Sequence, residues 1–282
     1  MLKNIYQLFL TQININMKVV FGFTHVVNHY KPINDNFFRL AKLSVKSAKK
    51  FYKTKIYCDN ISLNLFKEKG ITFDEVIIID EFILKYTDNY EYNSNQYSIS
   101  KIYAMMNETE PYILMDFDVI LMEKLESTHS ITYGQPEEIL NGEHITLNQL
   151  LWAHDSYINP FNTHMKKYFD DKDISHFNWT TFPSFCVLMV KLPYFVSTIF
   201  KEIMDIVPRE EIYKIPPTLL EQFIFHQYVL KHNVDFGFFI PHIYKDYSTN
   251  FESLDLISQK FLHINTNKKD SRKNIGYLEN IV

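Results

Sequence analysis

The chain reads as an α/β protein with a Rossmann-type, mostly parallel sheet, helices on both faces and an elaborated C-terminal half. Three observations predict this. Up to residue 121, short apolar strand patterns alternate with stretches whose apolar residues recur at helical spacing. Aspartates Asp59, Asp80 and Asp116 stand directly at the ends of the strand patterns, where open parallel sheets place their ligands. The 282 residues are 46% hydrophobic, with 24 Phe and 19 Tyr, and a chain of this length buries roughly 75% of its unfolded surface.

Lys18 to Thr24 forms the first strand pattern. Asn36 to Tyr52 carries Phe37, Leu40, Ala41, Val45, Ala48 and Phe51 on one helical face. Lys55 to Cys58 is the second strand, and Ser62 to Lys69 a helix with Ser62 as its cap and Gly70 as its stop. Glu75 to Ile79 is the third strand. Ser98 to Asn107 is helical, Pro111 ends it, and Tyr112 to Met115 runs straight into Asp116-Phe117-Asp118. Beyond this, Ile131 to Tyr133 and Phe185 to Val190 read as strands, Tyr194 to Ile206 and Thr218 to Lys231 as helices, and Asp235 to Ile240 as a late strand. Residues 141–181 are polar and aromatic and read as an elaborated loop region.

The net charge of −4, from 33 acidic and 29 basic residues, gives no basic footprint for nucleic acid. No apolar run approaches the ~20 residues that span a bilayer, and no secretory leader pattern opens the chain, so a cytoplasmic protein is expected. Cys58 and Cys186 sit in apolar runs and are expected to be buried free thiols.

Two carboxylates separated by one residue, placed straight after a buried strand, suit a divalent cation. Side chains at i and i+2 of an extended chain share a side, and hard cations such as Mn²⁺ and Mg²⁺ take oxygen ligands. The first strand end, Phe23, Thr24 and His25, is expected to border a nucleotide base, since ligands lie beyond such ends; Asp59 and Asp80 occupy the equivalent position on their strands and serve equally well as helix caps.

The run Tyr112 to Leu121 resembles the metal-binding strand end of GT-A-fold glycosyltransferases, whose Asp-x-Asp closes the nucleotide-binding half. The resemblance implies a metal-dependent transfer of a sugar from a nucleotide-diphosphate donor, a UDP-sugar being favoured, to a glycan, lipid or protein acceptor. Under it, Asp118 is the more direct cation ligand and Asp116 contacts metal or ribose. His263 completes the metal shell, Lys101 faces the phosphates from the preceding helix, and Lys268 and Lys269 hold the diphosphate on a tail that closes over the donor. Glu221 corresponds to an acidic residue facing the acceptor, as a base; dipole compensation in a first helical turn explains it as well. Trp152 and Trp179 could stack on a sugar or simply pack. The Asn-x-Gly usual in the family's later strand is missing from Phe185 to Val190.

The same resemblance divides the chain into an N-terminal extension (1–16), a nucleotide-sugar-binding half (17–125), an acceptor-binding half (126–260) and a C-terminal tail (261–282). Two rival readings remain: a haloacid-dehalogenase-type phosphohydrolase, which also uses strand-Asp-x-Asp, and a catalytically inactive sugar-nucleotide-binding protein.

Overall fold

A computed structural model describes residues 17–25, 35–86, 99–138, 181–206, 219–240, 260–264 and 271–282. Its centre is a seven-stranded sheet built from β1 (Lys18–Phe23), β2 (Lys53–Cys58), β3 (Glu75–Ile78), β4 (Tyr112–Met115), β6 (Ile131–Tyr133), β9 (Val187–Val190) and β10 (Phe236–Phe238), in the order β10-β6-β9-β4-β1-β2-β3. β3, β2, β1 and β4 pair in parallel, as do β6 and β10. β9 lies between these groups and pairs antiparallel with both β4 and β6. Six strands therefore share one direction, and their carboxyl ends share one edge. This is the α/β class with a Rossmann-type, mostly parallel sheet expected from the sequence.

Burial explains the strand patterns. β4 and β9 are buried at every residue, as central strands covered on both faces must be, and so they read as unbroken apolar runs. β3 is the outer strand, and Val76, Ile77 and Ile78 keep 37–40% of their surface exposed. Cys58 and Cys186 are buried and free, as expected.

Helix α1 (Asp35–Lys49), α2 (Asn60–Glu68), α3 (Asp80–Tyr86), α4 (Ile99–Asn107) and α5 (Pro193–Ile206) are joined by α6 (Phe225–Lys231) and α7 (Ser271–Ile281). Several boundaries differ from the sequence reading. Ser62 does not cap α2; Asp59 does, accepting the Ser62 N–H at 2.7 Å and the Ser62 hydroxyl at 2.7 Å. A carboxylate at the N-cap satisfies the first free amides better than a hydroxyl one turn inside. The expected helix from Thr218 is a π-helical turn, Leu219–Ile224, running into α6; such turns recur at functional positions. The expected 185–190 strand is shorter, beginning at Val187 after a turn.

Two short pairings lie outside the main sheet. β7 (Pro136–Glu138) pairs with β8 (Thr181–Pro183). β5 (Val119–Leu121) pairs antiparallel with β11 (Phe261–His263), His263 standing opposite Val119. α7 then returns across α1, and Leu40, Leu43, Ile120, Leu262, Ile264, Ile275 and Leu278 form one apolar cluster between them. Arg39 adds a two-pronged pair to Glu279 at 2.8 and 2.6 Å. The helix that begins at Ser271 is thus docked on α1. Lys268, Lys269, Trp152 and Trp179 lie outside the described residues. Among the described residues no helix is long and apolar enough to cross a membrane.

Candidate active site

The Asp116-Phe117-Asp118 turn is set by its middle residue. Phe117 is buried among Phe21, Phe23, Phe37, Phe66 and Phe73, stacking on Phe21 with ring centroids 4.8 Å apart. With Phe117 anchored there, the Asp116 and Asp118 carboxylates lie near enough to act on each other electrostatically. Two serines on the buried face of α1 hold the backbone around it. The Ser44 hydroxyl donates to the Asp116 carbonyl at 3.3 Å, and the Leu121 N–H donates to Ser47 Oγ at 3.0 Å. Asp116 N–H donates to the Cys186 carbonyl at 2.9 Å, tying the turn to the start of β9.

The β5–β11 pairing brings His263 to this turn across 145 residues of sequence. Ile264 N–H donates to the Asp118 carbonyl at 2.8 Å, and His263 Nε2 lies 3.4 Å from Asp118 Oδ1. Burial opposes charge on the His263 imidazole, but the Asp118 carboxylate and the Cys186 sulfur beside it outweigh that, and its pKa stands well above the ordinary histidine value.

Lys101 enters from below. A Cβ on Gly22 would lie 2.6 Å from the Lys101 backbone nitrogen, so only glycine lets the end of β1 and the start of α4 meet this closely. The Lys101 ammonium is buried, 2.5 Å from Asp116 Oδ1 and 3.5 Å from Glu221 Oε1. Glu221, in the π-helical turn, is 1% exposed, and among the described residues neither of its oxygens accepts a hydrogen bond. Burial is the main cause that raises its pKa to about 7, with Lys101 opposing and Asp116 adding. Burial likewise raises Asp116, against the pull of Lys101.

Of the residues expected at the site, Asp116, Asp118, His263, Lys101 and Glu221 converge here. Lys101 does not face open solvent as a phosphate contact; it is enclosed between two carboxylates. Glu221, expected to face the acceptor, is buried beside Lys101. Phe23 packs on Phe37, Phe66 and Phe117 and stays partly exposed. Thr24 is buried. Asp59 is fully buried, and besides capping α2 it accepts the His25 N–H at 2.6 Å; it positions the loop after β1. Asp80 opens α3 and accepts the Asn60 N–H at 3.1 Å. The sequence reading missed Ser44, Ser47 and Phe117; the signal for the serines was a pair of polar residues three apart on an otherwise apolar helical stripe.

The residues present fit a divalent ion. Among the described residues no three His, Cys, Asp or Glu side chains gather as a ready metal cage. Mg²⁺ and Mn²⁺ do not need one, since they are held by one or two protein groups with phosphate oxygens and water. Adjacent ligands about 2.0–2.1 Å from an octahedral ion are roughly 2.8–3.0 Å apart; Asp118 Oδ1 and His263 Nε2, at 3.4 Å, would have to close by a few tenths of an ångström to hold one together. Asp118 Oδ1 is shut off from solvent, and the His263 imidazole at 3.4 Å is the partner it has there.

No protein-family model matches the sequence, and no curated protein is similar to it. Among solved structures, the chain is similar to 4-diphosphocytidyl-2C-methyl-D-erythritol synthase from Anaerococcus prevotii, at 7% identity and a TM-score of 0.41, over 94% of this chain and 98% of that one. At that level the likeness carries no argument about activity.

Proposed function

We propose that the protein is a divalent-cation-dependent glycosyltransferase taking its sugar from a nucleotide-diphosphate donor. The observation that carries this reading is the pairing of β11 on β5, which sets His263 beside Asp118 at the sheet edge where open α/β folds bind nucleotides. Asp118 and His263 would hold Mn²⁺ or Mg²⁺, together with the donor diphosphate. When bound, such an ion neutralises charge developing on the leaving diphosphate.

The chain's own residues prepare this. Phe117 and the two serines fix the turn, so the ligands need little reorganisation when the donor arrives. Asp116 is left to meet the ion or the donor ribose. Lys101 balances the acidic cluster from inside the fold. Glu221 acts on the site through Lys101, as an electrostatic partner of the ammonium. Lys268 and Lys269 follow His263 in sequence and are proposed to contact the diphosphate, with a UDP-sugar as the favoured donor.

Thermal denaturation with UDP-, GDP- and CMP-sugars, with and without Mn²⁺, tests the reading. A donor at a hundred times its dissociation constant adds about 2.7 kcal/mol of stability. One nucleotide class is expected to raise the melting temperature only with the metal present, and donor hydrolysis or transfer is expected from the same class. Metal-dependent release of inorganic phosphate from sugar phosphates, with no response to nucleotide sugars, would transfer the site to the phosphohydrolase reading.

A further inference from the structure

Glu221 presents a problem the proposed reaction does not solve. A carboxylate 1% exposed with no hydrogen bond to either oxygen is unfavourable by several kcal/mol in general terms unless something pairs with it. Lys101 is the nearest cation, yet it stands 3.5 Å away and leans on Asp116 at 2.5 Å. One ammonium therefore lies between the buried Glu221 and the partly exposed Asp116, and it serves them unequally, at 3.5 and 2.5 Å. The start of α4 is packed closely against Gly22, so a shift of the ammonium from one carboxylate toward the other is a movement of the Lys101 side chain.

The two carboxylates differ in what else they could meet. Asp116 is one residue removed from Asp118, in the turn proposed to seat a divalent ion. Glu221 is enclosed in the π-helical turn, with Lys101 as the one cation placed beside it by ion-pair distance among the described residues. A divalent ion reaching Asp116 would face the Lys101 ammonium at close range and repel it. Glu221 is the acceptor placed to receive it.

We propose that Lys101 and Glu221 form a counter-ion exchange beneath the cation site: Lys101 neutralises Asp116 while no divalent ion is bound, and passes to Glu221 when one arrives. The proposal rests on the cation-site reading given above. In the ion-free state the exchange keeps Asp116 and Asp118 from repelling each other. In the loaded state it removes a competing cation and satisfies the unpaired Glu221 oxygen. Lys101 and Glu221 are thus positioning residues that set the affinity of the site for its ion without touching the donor.

The test is titration of Mn²⁺ alone, followed by the electron paramagnetic resonance signal of the free ion, into the wild type, Glu221→Gln, Lys101→Met and the double variant. Glu221→Gln, which strands Lys101 on Asp116, is expected to weaken Mn²⁺ binding about tenfold, and Lys101→Met to strengthen it about threefold or more. The double variant is expected to bind like Lys101→Met, within about twofold, because with no ammonium present nothing needs exchanging. Equal or tighter binding by Glu221→Gln overturns the proposal. So does a tenfold loss that persists in the Lys101→Met background, since it would show only the long-range pull of a negative charge. Should Glu221→Gln fail to melt cooperatively, Lys101→Met decides alone: binding no tighter than wild type overturns the exchange. A wild type that binds no Mn²⁺ removes the proposed function itself, whereas a wild type that binds with both single variants unchanged removes only the exchange.

Discussion

Glu108 and Glu221 are both buried glutamates facing lysine, and they sit in opposite parts of the same molecule. Glu108 lies near Lys18, the first residue of β1, away from the ligand edge. Its Oε1 takes the Tyr57 hydroxyl at 2.7 Å and the Lys55 ammonium at 2.8 Å, and its Oε2 pairs with Lys18 at 3.1 Å. Glu221 lies at the carboxyl edge, shares one lysine with Asp116 and accepts no hydrogen bond among the described residues. The first arrangement uses charge to hold strands together. The second leaves charge incompletely matched where a ligand is expected, and a chain under selection for stability alone would not keep it there.

The sharpest way to break this comparison is to remove each glutamate. Glu108→Ala leaves Lys18, Lys55 and the Tyr57 hydroxyl facing a void, and is expected to destabilise the fold by about 3–5 kcal/mol in urea titrations. A loss under about 1 kcal/mol would mean that the network is decorative. Phe117→Ala should destabilise similarly, by roughly 3–5 kcal/mol, because it empties the aromatic cluster under the turn.

Glu221→Gln should do the reverse, and only at the right pH. The folded pKa of about 7 lies above the ordinary 4.5, so the stability that protonated Glu221 contributes is fully present below about 4.5 and lost as pH rises to 7. The variant should match the wild type near pH 5 and exceed it at pH 8, by at most about 3 kcal/mol. His226 sharpens the contrast, since its environment is neutral. It hydrogen-bonds the Tyr133 hydroxyl at 3.0 Å, and burial lowers its pKa from 6.5 to about 4. Its contribution is present above 6.5 and declines as pH falls toward 4, by up to about 3 kcal/mol. Denaturation curves of Glu221→Gln between pH 4 and 6.5 should therefore still fall on acidification. The smallest effect belongs to Arg39→Ala. Its pair with Glu279 is 39% exposed on each side, so solvent screening holds the loss to under about 1 kcal/mol.

The strands and their order along the chain were legible because β1, β2 and β4 are short buried elements whose composition states their burial. Asp116 and Asp118 were legible for the same reason, as charges abutting an apolar run. The direction of β9 was not, since an antiparallel insertion between β4 and β6 leaves no mark on Val187-Leu188-Met189-Val190. Nor was the Asp59 cap distinguishable from a ligand contact: both uses place an aspartate at a strand end. His263 could be suggested by resemblance only, because its approach depends on the register of two three-residue strands far apart in sequence. Glu221 was visible as an acid early in a helix, but its burial and its lysine depend on the π-helical turn and on the contact between Gly22 and α4.

The central claim is that Asp118 and His263 seat a divalent ion that clasps a nucleotide diphosphate. Calorimetric titration of UDP into the wild type, Asp118→Ala and His263→Ala, each with Mn²⁺ and with chelator, measures it directly. UDP is expected to bind the wild type at least about tenfold more tightly with Mn²⁺, a difference of about 1.4 kcal/mol, and both variants are expected to lose that gain while melting like the wild type. An Mn²⁺ gain that survives in Asp118→Ala, or UDP affinity that is the same with metal and with chelator in the wild type, would contradict the account.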